Sequence, residues 1–289
     1  MTAFWLRVVL TAAALWWFVS VLLLDAAGLG FAAASIAVMC GTFVGIVVFF
    51  AIRYALALSD PGAMRRALQA GVPRALAGFF GEVLAFLAAF VVIQPFERLW
   101  MGDEPAQARV LLVHGYACNR GAWWWLRRRL RRRGIDAGTV NLEPPFAGID
   151  ALADALHRRI EALGTPRLLL VGHSMGGLVC RAYLRRYGAG RVAGLVTLAT
   201  PHRGTRIARL GIGQDAREML PGNGWLRGLG APTVPTHAVW SSFDVLVVPQ
   251  ESGHLDGARE TVLPVLGHLA FLFSPRVLAV LEAEAARSL

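Results

Sequence analysis

Lysine is absent. All 29 basic residues are arginine, against 19 acidic ones, and the formal net charge is +10. Charge of any kind is scarce, at 17% of the chain, while 56% is hydrophobic. That balance excludes a disordered, highly solvated chain and points away from an ordinary soluble domain. The three cysteines, Cys40, Cys118 and Cys180, are too few and too scattered for a disulfide framework. No Cys-x-x-Cys or His-rich spacing suggests zinc, and no other metal or cofactor is expected. Internal repeats, low-complexity tracts and nucleic-acid-binding modules are also missing. The positive charge therefore suits anionic lipid headgroups better than nucleic acid.

What is abundant is long apolar sequence. Trp5 to Leu24 is apolar apart from Arg7 and small hydroxyl residues, and Phe31 to Ile52 carries no charge. Each is long enough for a hydrocarbon core of roughly 30 Å, which takes about 20 helical residues. A third run, Ala75 to Ile93, holds one charge, Glu82. It reads as a third span, or else as an interfacial or buried helix packed on the rest of the protein. Trp5, Trp16, Trp17 and Trp100 suit interfacial anchoring. The thin positive start and the second full-length run argue against a cleaved leader. The link Asp25 to Gly30 has no basic residue, whereas the link after the second run has Arg53, Arg65, Arg66 and Arg74. Positive loops stay cytoplasmic, so the N-terminus is expected inside an inner membrane. The third run is expected to span, which makes the remainder periplasmic; if it does not span, the remainder is cytoplasmic.

Residues 1–100 thus read as a membrane region, 101–107 as a linker and 108–289 as a catalytic domain. Beyond the linker, strands and helices alternate. Strands are expected at 109–113, 138–142, 167–171, 192–199, 237–241 and 261–266. Helices are expected at 121–133, 149–163 and 175–187, with a last helix capped by Ser274. This order predicts an α/β fold with a doubly wound, mostly parallel sheet.

Gly172-His-Ser-Met-Gly-Gly177 lies between an apolar strand and a helix. Gly-x-Ser-x-Gly in that setting is a nucleophile elbow: a strained turn pushes the Ser174 hydroxyl out of the sheet, at a helix N-terminus that favours developing negative charge. A serine hydroxyl needs a base. Chain order in this fold runs serine, acid, histidine, which leaves His237, His254 and His268. His237 opens a strand. His268 follows the last strand and is the candidate base, with His254 its rival. Asp244, on the loop after strand 237–241, is the candidate acid, with Asp256 and Glu251 as rivals. Backbone N–H groups of Met175 and of Tyr116, in the loop after the first strand, are candidate oxyanion donors.

Together, His114-Gly115-Tyr116, the Ser174 motif, Thr200-Pro-His-Arg-Gly204, Asp244 and His268 resemble the bacterial lipase and esterase family of α/β-hydrolases over roughly residues 108–289. The resemblance implies carboxylic ester hydrolysis through an acyl-enzyme. Some related lipases hold a structural calcium near the histidine, but no acidic cluster follows His268 here and none is expected. The expected partners are an acyl ester or lipid and the bilayer. Other readings keep the triad but transfer the acyl group or cleave a thioester, or make the chain a non-catalytic membrane scaffold. Residues 205–230 form a candidate lid. Trp123-Trp124-Trp125 and the six arginines from Arg127 to Arg133 form either a headgroup-binding face or a solvated helix whose tryptophans fill the core.

Overall fold

The computed structural model describes residues 1–59, 61–105 and 107–289. Two long apolar helices open the chain, α1 (Thr2–Leu24) and α2 (Phe31–Ala57), joined by a turn in which Gly28 and Gly30 take positive φ. A short helix α3 (Pro61–Ala70) follows. Then α4 (Val72–Phe86) runs on through a π-helical stretch, Leu87–Ile93, and a 3-10 turn to α5 (Glu97–Met101). Three stretches are long and apolar enough to cross a membrane: Thr2–Leu29, Phe31–Ala57 and Val72–Met101.

The rest of the protein, the body, is built on a six-stranded sheet. Its strands are β1 (Val110–Val113), β2 (Ala137–Val140), β3 (Leu168–His173), β4 (Val192–Leu198), β5 (Thr236–Ser241) and β6 (Arg259–Leu263), in the order β2-β1-β3-β4-β5-β6. All five pairings are parallel. Its helices are α6 (Trp124–Arg132), α7 (Ile149–Leu163), α8 (Met175–Tyr187), the short α9 (Gly213–Glu218) and α10 (Gly224–Arg227), and α11 (Pro275–Ser288). Side chains alternate across the sheet. Val110 and Leu112 pack with α6 and α11 on one face, while Leu111 and Val113 pack with α7 and α8 on the other. This is the α/β-hydrolase fold that the strand pattern predicts. β6 ends at Leu263, short of the expected Leu266, because Pro264 lacks the ladder N–H and Val265 turns to φ 51°. Trp123 is fully buried, and Leu126 and Leu130 face the core. Arg128, Arg129, Arg131, Arg132 and Arg133 point outward.

The third apolar stretch does not stand clear of the body. Gly78 lies against Val265 and Phe243. Phe86 and Phe90 pack on the core beneath α6. Gln94 accepts from the Asn119 N–H and side-chain amide, and the Arg127 guanidinium donates to the Met101 carbonyl. Contact is thus kept from residue 78 to residue 101. The outer ends of α1 and α2 also meet the body. The N-terminal ammonium pairs with Glu143. Tyr54 packs on Phe243 at 4.8 Å between ring centroids, and Gln250 donates to the Ala57 carbonyl.

Candidate active site

β3 ends in His173, and α8 begins at Met175. Between them Ser174 holds φ 56° and ψ −127°, a conformation that a residue with a Cβ adopts only when its surroundings enforce it. Close approach of strand and helix is the enforcing condition. A Cβ on Gly172 would sit 2.5 Å from the Gly177 backbone, and one on Gly115 would sit 2.8 Å from the Ser174 Cβ. The Ser174 N–H donates to the Leu198 carbonyl at 2.8 Å. Small residues at these positions therefore fix the serine at the sheet's carboxyl edge, beside the His114-Gly115-Tyr116 loop.

Asp244 and His268 follow β5 and β6, where strand ends place them. Both are buried. The His268 Nδ1 donates to the Asp244 carboxylate, at 2.9 Å from Oδ2 and 3.1 Å from Oδ1. Asp244 Oδ1 also accepts from the Leu246 and Val247 N–H groups at 2.7 and 2.9 Å. With Nδ1 donating, the tautomer so assigned leaves Nε2 as an acceptor. The rivals lie elsewhere. His254 is half-exposed and bound to Asp256 and Glu260, and Glu251 pairs with Arg66 at 2.5 Å.

Three other histidines are structural supports. His114 opens the loop after β1. Its Nδ1 donates to the Gly115 carbonyl at 2.9 Å, and Nε2 accepts from the Leu142 N–H at 3.0 Å. Burial pushes its pKa down to about 4. His173 donates from Nε2 to the His268 carbonyl at 3.0 Å, and burial holds its pKa well below the usual range. His202 receives the Arg181 guanidinium at Nδ1, 3.2 Å, and is likewise kept neutral by burial.

Glu82, the lone charge in the third apolar run, was not legible as a site residue. It is 1% exposed. Its carboxylate accepts from the Leu269 N–H at 2.9 and 3.0 Å and from the Ala270 N–H at 3.0 Å. It therefore caps the 3-10 turn that begins just after His268. A buried charge in an apolar helix was the available signal. The partner, 187 residues away, was beyond sequence.

Two cavities flank Ser174. One, of about 230 Å³, is lined by Ser174 and His268 from the body, with Phe49, Phe50, Phe86 and Phe90 from the apolar helices. The other, of about 240 Å³, is lined by Ser174 with Ile207, Leu210, Ala216 and Met219 of the 205–230 segment. That segment is tied down by the Tyr116 hydroxyl, which accepts from the Ile212 N–H at 2.8 Å and donates to its carbonyl at 2.9 Å. Among the described residues no group of three or more His, Cys, Asp or Glu side chains could hold a metal ion.

Residues 108–219 match the family described as the alpha/beta hydrolase fold. Over 111 residues the chain is 31% identical to a triacylglycerol lipase of Pseudarthrobacter phenanthrenivorans, covering 34% of each protein. It is also 31% identical to a triacylglycerol lipase of Burkholderia plantarii, covering 34% of this chain and 31% of that one. The chain thus spans about a third of the length of these relatives. The mature lipase of Bacillus licheniformis superposes with a TM-score of 0.54 at 16% identity, over 64% of this chain and 94% of that chain. An esterase of Exiguobacterium antarcticum gives 0.53 at 17% identity over the same shares.

Proposed function

We propose that this chain, built on the α/β-hydrolase fold, is a membrane-anchored serine hydrolase that cleaves lipid-like carboxylic esters through an acyl-enzyme. The observation that carries the reading is a strained Ser174 sharing one cavity with His268, whose Nδ1 is held by a buried Asp244. The lipase and esterase names of its relatives support the same chemistry.

In this reading the Ser174 Oγ bonds to the ester carbonyl carbon, and its proton passes to the His268 Nε2. The carbonyl electron pair moves onto oxygen and is met by the Tyr116 and Met175 N–H groups. Collapse re-forms the carbonyl and breaks the bond to the alcohol oxygen, which takes the proton from His268. Water then repeats the attack, giving its proton to His268, and the fatty acid leaves as Ser174 recovers its hydrogen. Asp244 stays ionised throughout and stabilises the imidazolium. The phenylalanine walls hold the acyl chain, where each buried CH₂ contributes about 0.8 kcal/mol. Residues 205–230 act as the opposite wall or lid.

The packing supports one membrane side. α1 and α2 cross as a hairpin, while Val72–Met101, though long enough to cross, lies along the catalytic body. The body then shares a side with both outer ends of the hairpin. Arg53, Arg65, Arg66 and Arg74 make that side cytoplasmic, the alternative that sequence left open to a docked third run.

The test is turnover of esters of graded chain length by the full protein in detergent or nanodiscs. Ser174→Ala and His268→Ala are expected to lower kcat by on the order of 10⁶, and Asp244→Asn by about 10⁴. A wild-type optimum at acetate esters would remove the lipid part of the reading. Activity in Ser174→Ala would remove the whole of it. Acyl transfer to an added alcohol in place of fatty acid release would make the enzyme an acyltransferase.

A further inference from the structure

Arg53 stands in the closing turns of α2, and it lines both cavities that meet at Ser174. It is the one arginine among the described residues to line either. Its guanidinium carbon lies 5.3 Å from the Phe49 ring centroid, which steadies the side chain over that ring. Its Nη2 is buried and has no hydrogen-bond partner among the described residues. Three semi-buried arginines elsewhere in the fold are engaged instead. Arg127 donates to the carbonyls of Met101, Asp103 and Ala137, Arg159 pairs with Glu104, and Arg181 donates to the Gly230 carbonyl.

An arginine near a helix end ordinarily extends its head to water or lipid headgroups. Arg53 instead turns toward the place where a substrate would lie. A buried, unused N–H is costly, and an anion entering with the substrate relieves that cost. A planar guanidinium fork favours phosphate or carboxylate, which accept two parallel hydrogen bonds. The two cavities share Arg53, Tyr116, Ser174 and Leu246. An ester placed at Ser174 therefore sends its acyl chain among the phenylalanines and its alcohol part into the second cavity, with Arg53 at the junction. In a membrane, the charge carried a few bonds from a glycerol ester is phosphate.

We infer that Arg53 binds the phosphate of a phosphorylated glycerol ester, and that such esters are the substrate class. This rests on Ser174 being the nucleophile.

The test uses the full-length protein in nanodiscs of uncharged net lipid. Octanoyl glycerol and octanoyl glycerol phosphate are supplied as monomers, so that surface attraction contributes equally little to both assays. The quantity read is the ratio of kcat/KM, phosphorylated over neutral. Fluorophosphonate labelling reports that each variant keeps a folded site. The wild-type ratio is expected to be at least about tenfold, as a charge-assisted pair supplies. Arg53→Met should lower that ratio at least tenfold, and Arg53→Lys, which keeps charge but loses the fork, should fall between. Arg65→Met, at an exposed position on α3, should leave the ratio as in wild type. A ratio unchanged in a labelled Arg53→Met protein overturns the assignment, as does an equal drop in Arg65→Met. Inorganic phosphate competing as well as the phosphorylated ester would make this a free-phosphate site and overturn the substrate class. Loss of all turnover in Ser174→Ala, or its persistence, bears on the nucleophile alone.

Discussion

Ser174, Asp244 and His268 could be chosen from sequence because each sits at a strand end, and strand ends are what a run of apolar residues reveals. The geometry around His268 is less legible. Its carbonyl is held by His173, its ring by Asp244, and the next two N–H groups by Glu82. Only Asp244 of these three was chosen in advance, since His173 and Glu82 reach the loop through tertiary packing. The same burial gives His114, His173 and His202 a shared consequence for stability. In the unfolded chain each takes up a proton as pH falls through about 6.5. In the folded chain His114 stays neutral down to about 4, and the other two are lowered as well. The unfolded state therefore binds more protons below 6.5, and stability should fall as pH drops. The slope is about 1.4 kcal/mol per pH unit for each such histidine, and His114 ceases to contribute below about 4. Unfolding temperatures measured from pH 7.5 to 4.5 should show this decline, and His202→Gln should make it shallower. A flat profile over that range would mean these imidazoles are hydrated.

At the scale of elements, helices 149–163 and 175–187 were read to the residue, since a glycine stops each one and an apolar stripe runs through it. The third apolar run was read as 75–93, but the helical stretch extends over 72–101. Hydropathy cannot say whether an apolar face meets lipid or protein, and here Phe86 and Phe90 meet protein. The element reaches the site through Glu82, whose carboxylate joins α4 to the Leu269 and Ala270 N–H groups beside His268. Glu82→Gln replaces one acceptor oxygen with a donor facing the Leu269 and Ala270 N–H groups. A shift of the imidazole by about 1 Å can cost on the order of 10² in rate. Glu82→Gln should therefore lower kcat per titrated active site about ten- to a hundredfold with little change in KM, and Glu82→Asp should recover part of the loss. If only the fraction of labelled enzyme fell, with kcat per site intact, Glu82 would be a folding residue and nothing more.

For the molecule as a whole, the proposed arrangement keeps Val72–Met101 docked and puts the body on the cytoplasmic side. Reporter fusions after Arg66 and at Leu289 should both read cytoplasmic, and a fusion in the Gly28 turn should read periplasmic. With Arg66 still reading cytoplasmic, a periplasmic signal at Leu289 would require Val72–Met101 to leave the body, breaking the contacts of Glu82, Gln94 and Met101 with Leu269, Asn119 and Arg127.

The cavity at Ser174 belongs to no single segment. The hydrolase match begins at residue 108, whereas Phe49, Arg53, Phe86 and Phe90 lie before it. In the proposed reading, the nucleophile Ser174 falls inside that match, while the phenylalanines and Arg53 that would meet the substrate fall before it. Similarity measured over residues 108–219 weighs Ser174 and the loop after β1, and is silent on those walls. Two chains alike over residues 108–219 can therefore still differ in the esters that their preceding helices would admit.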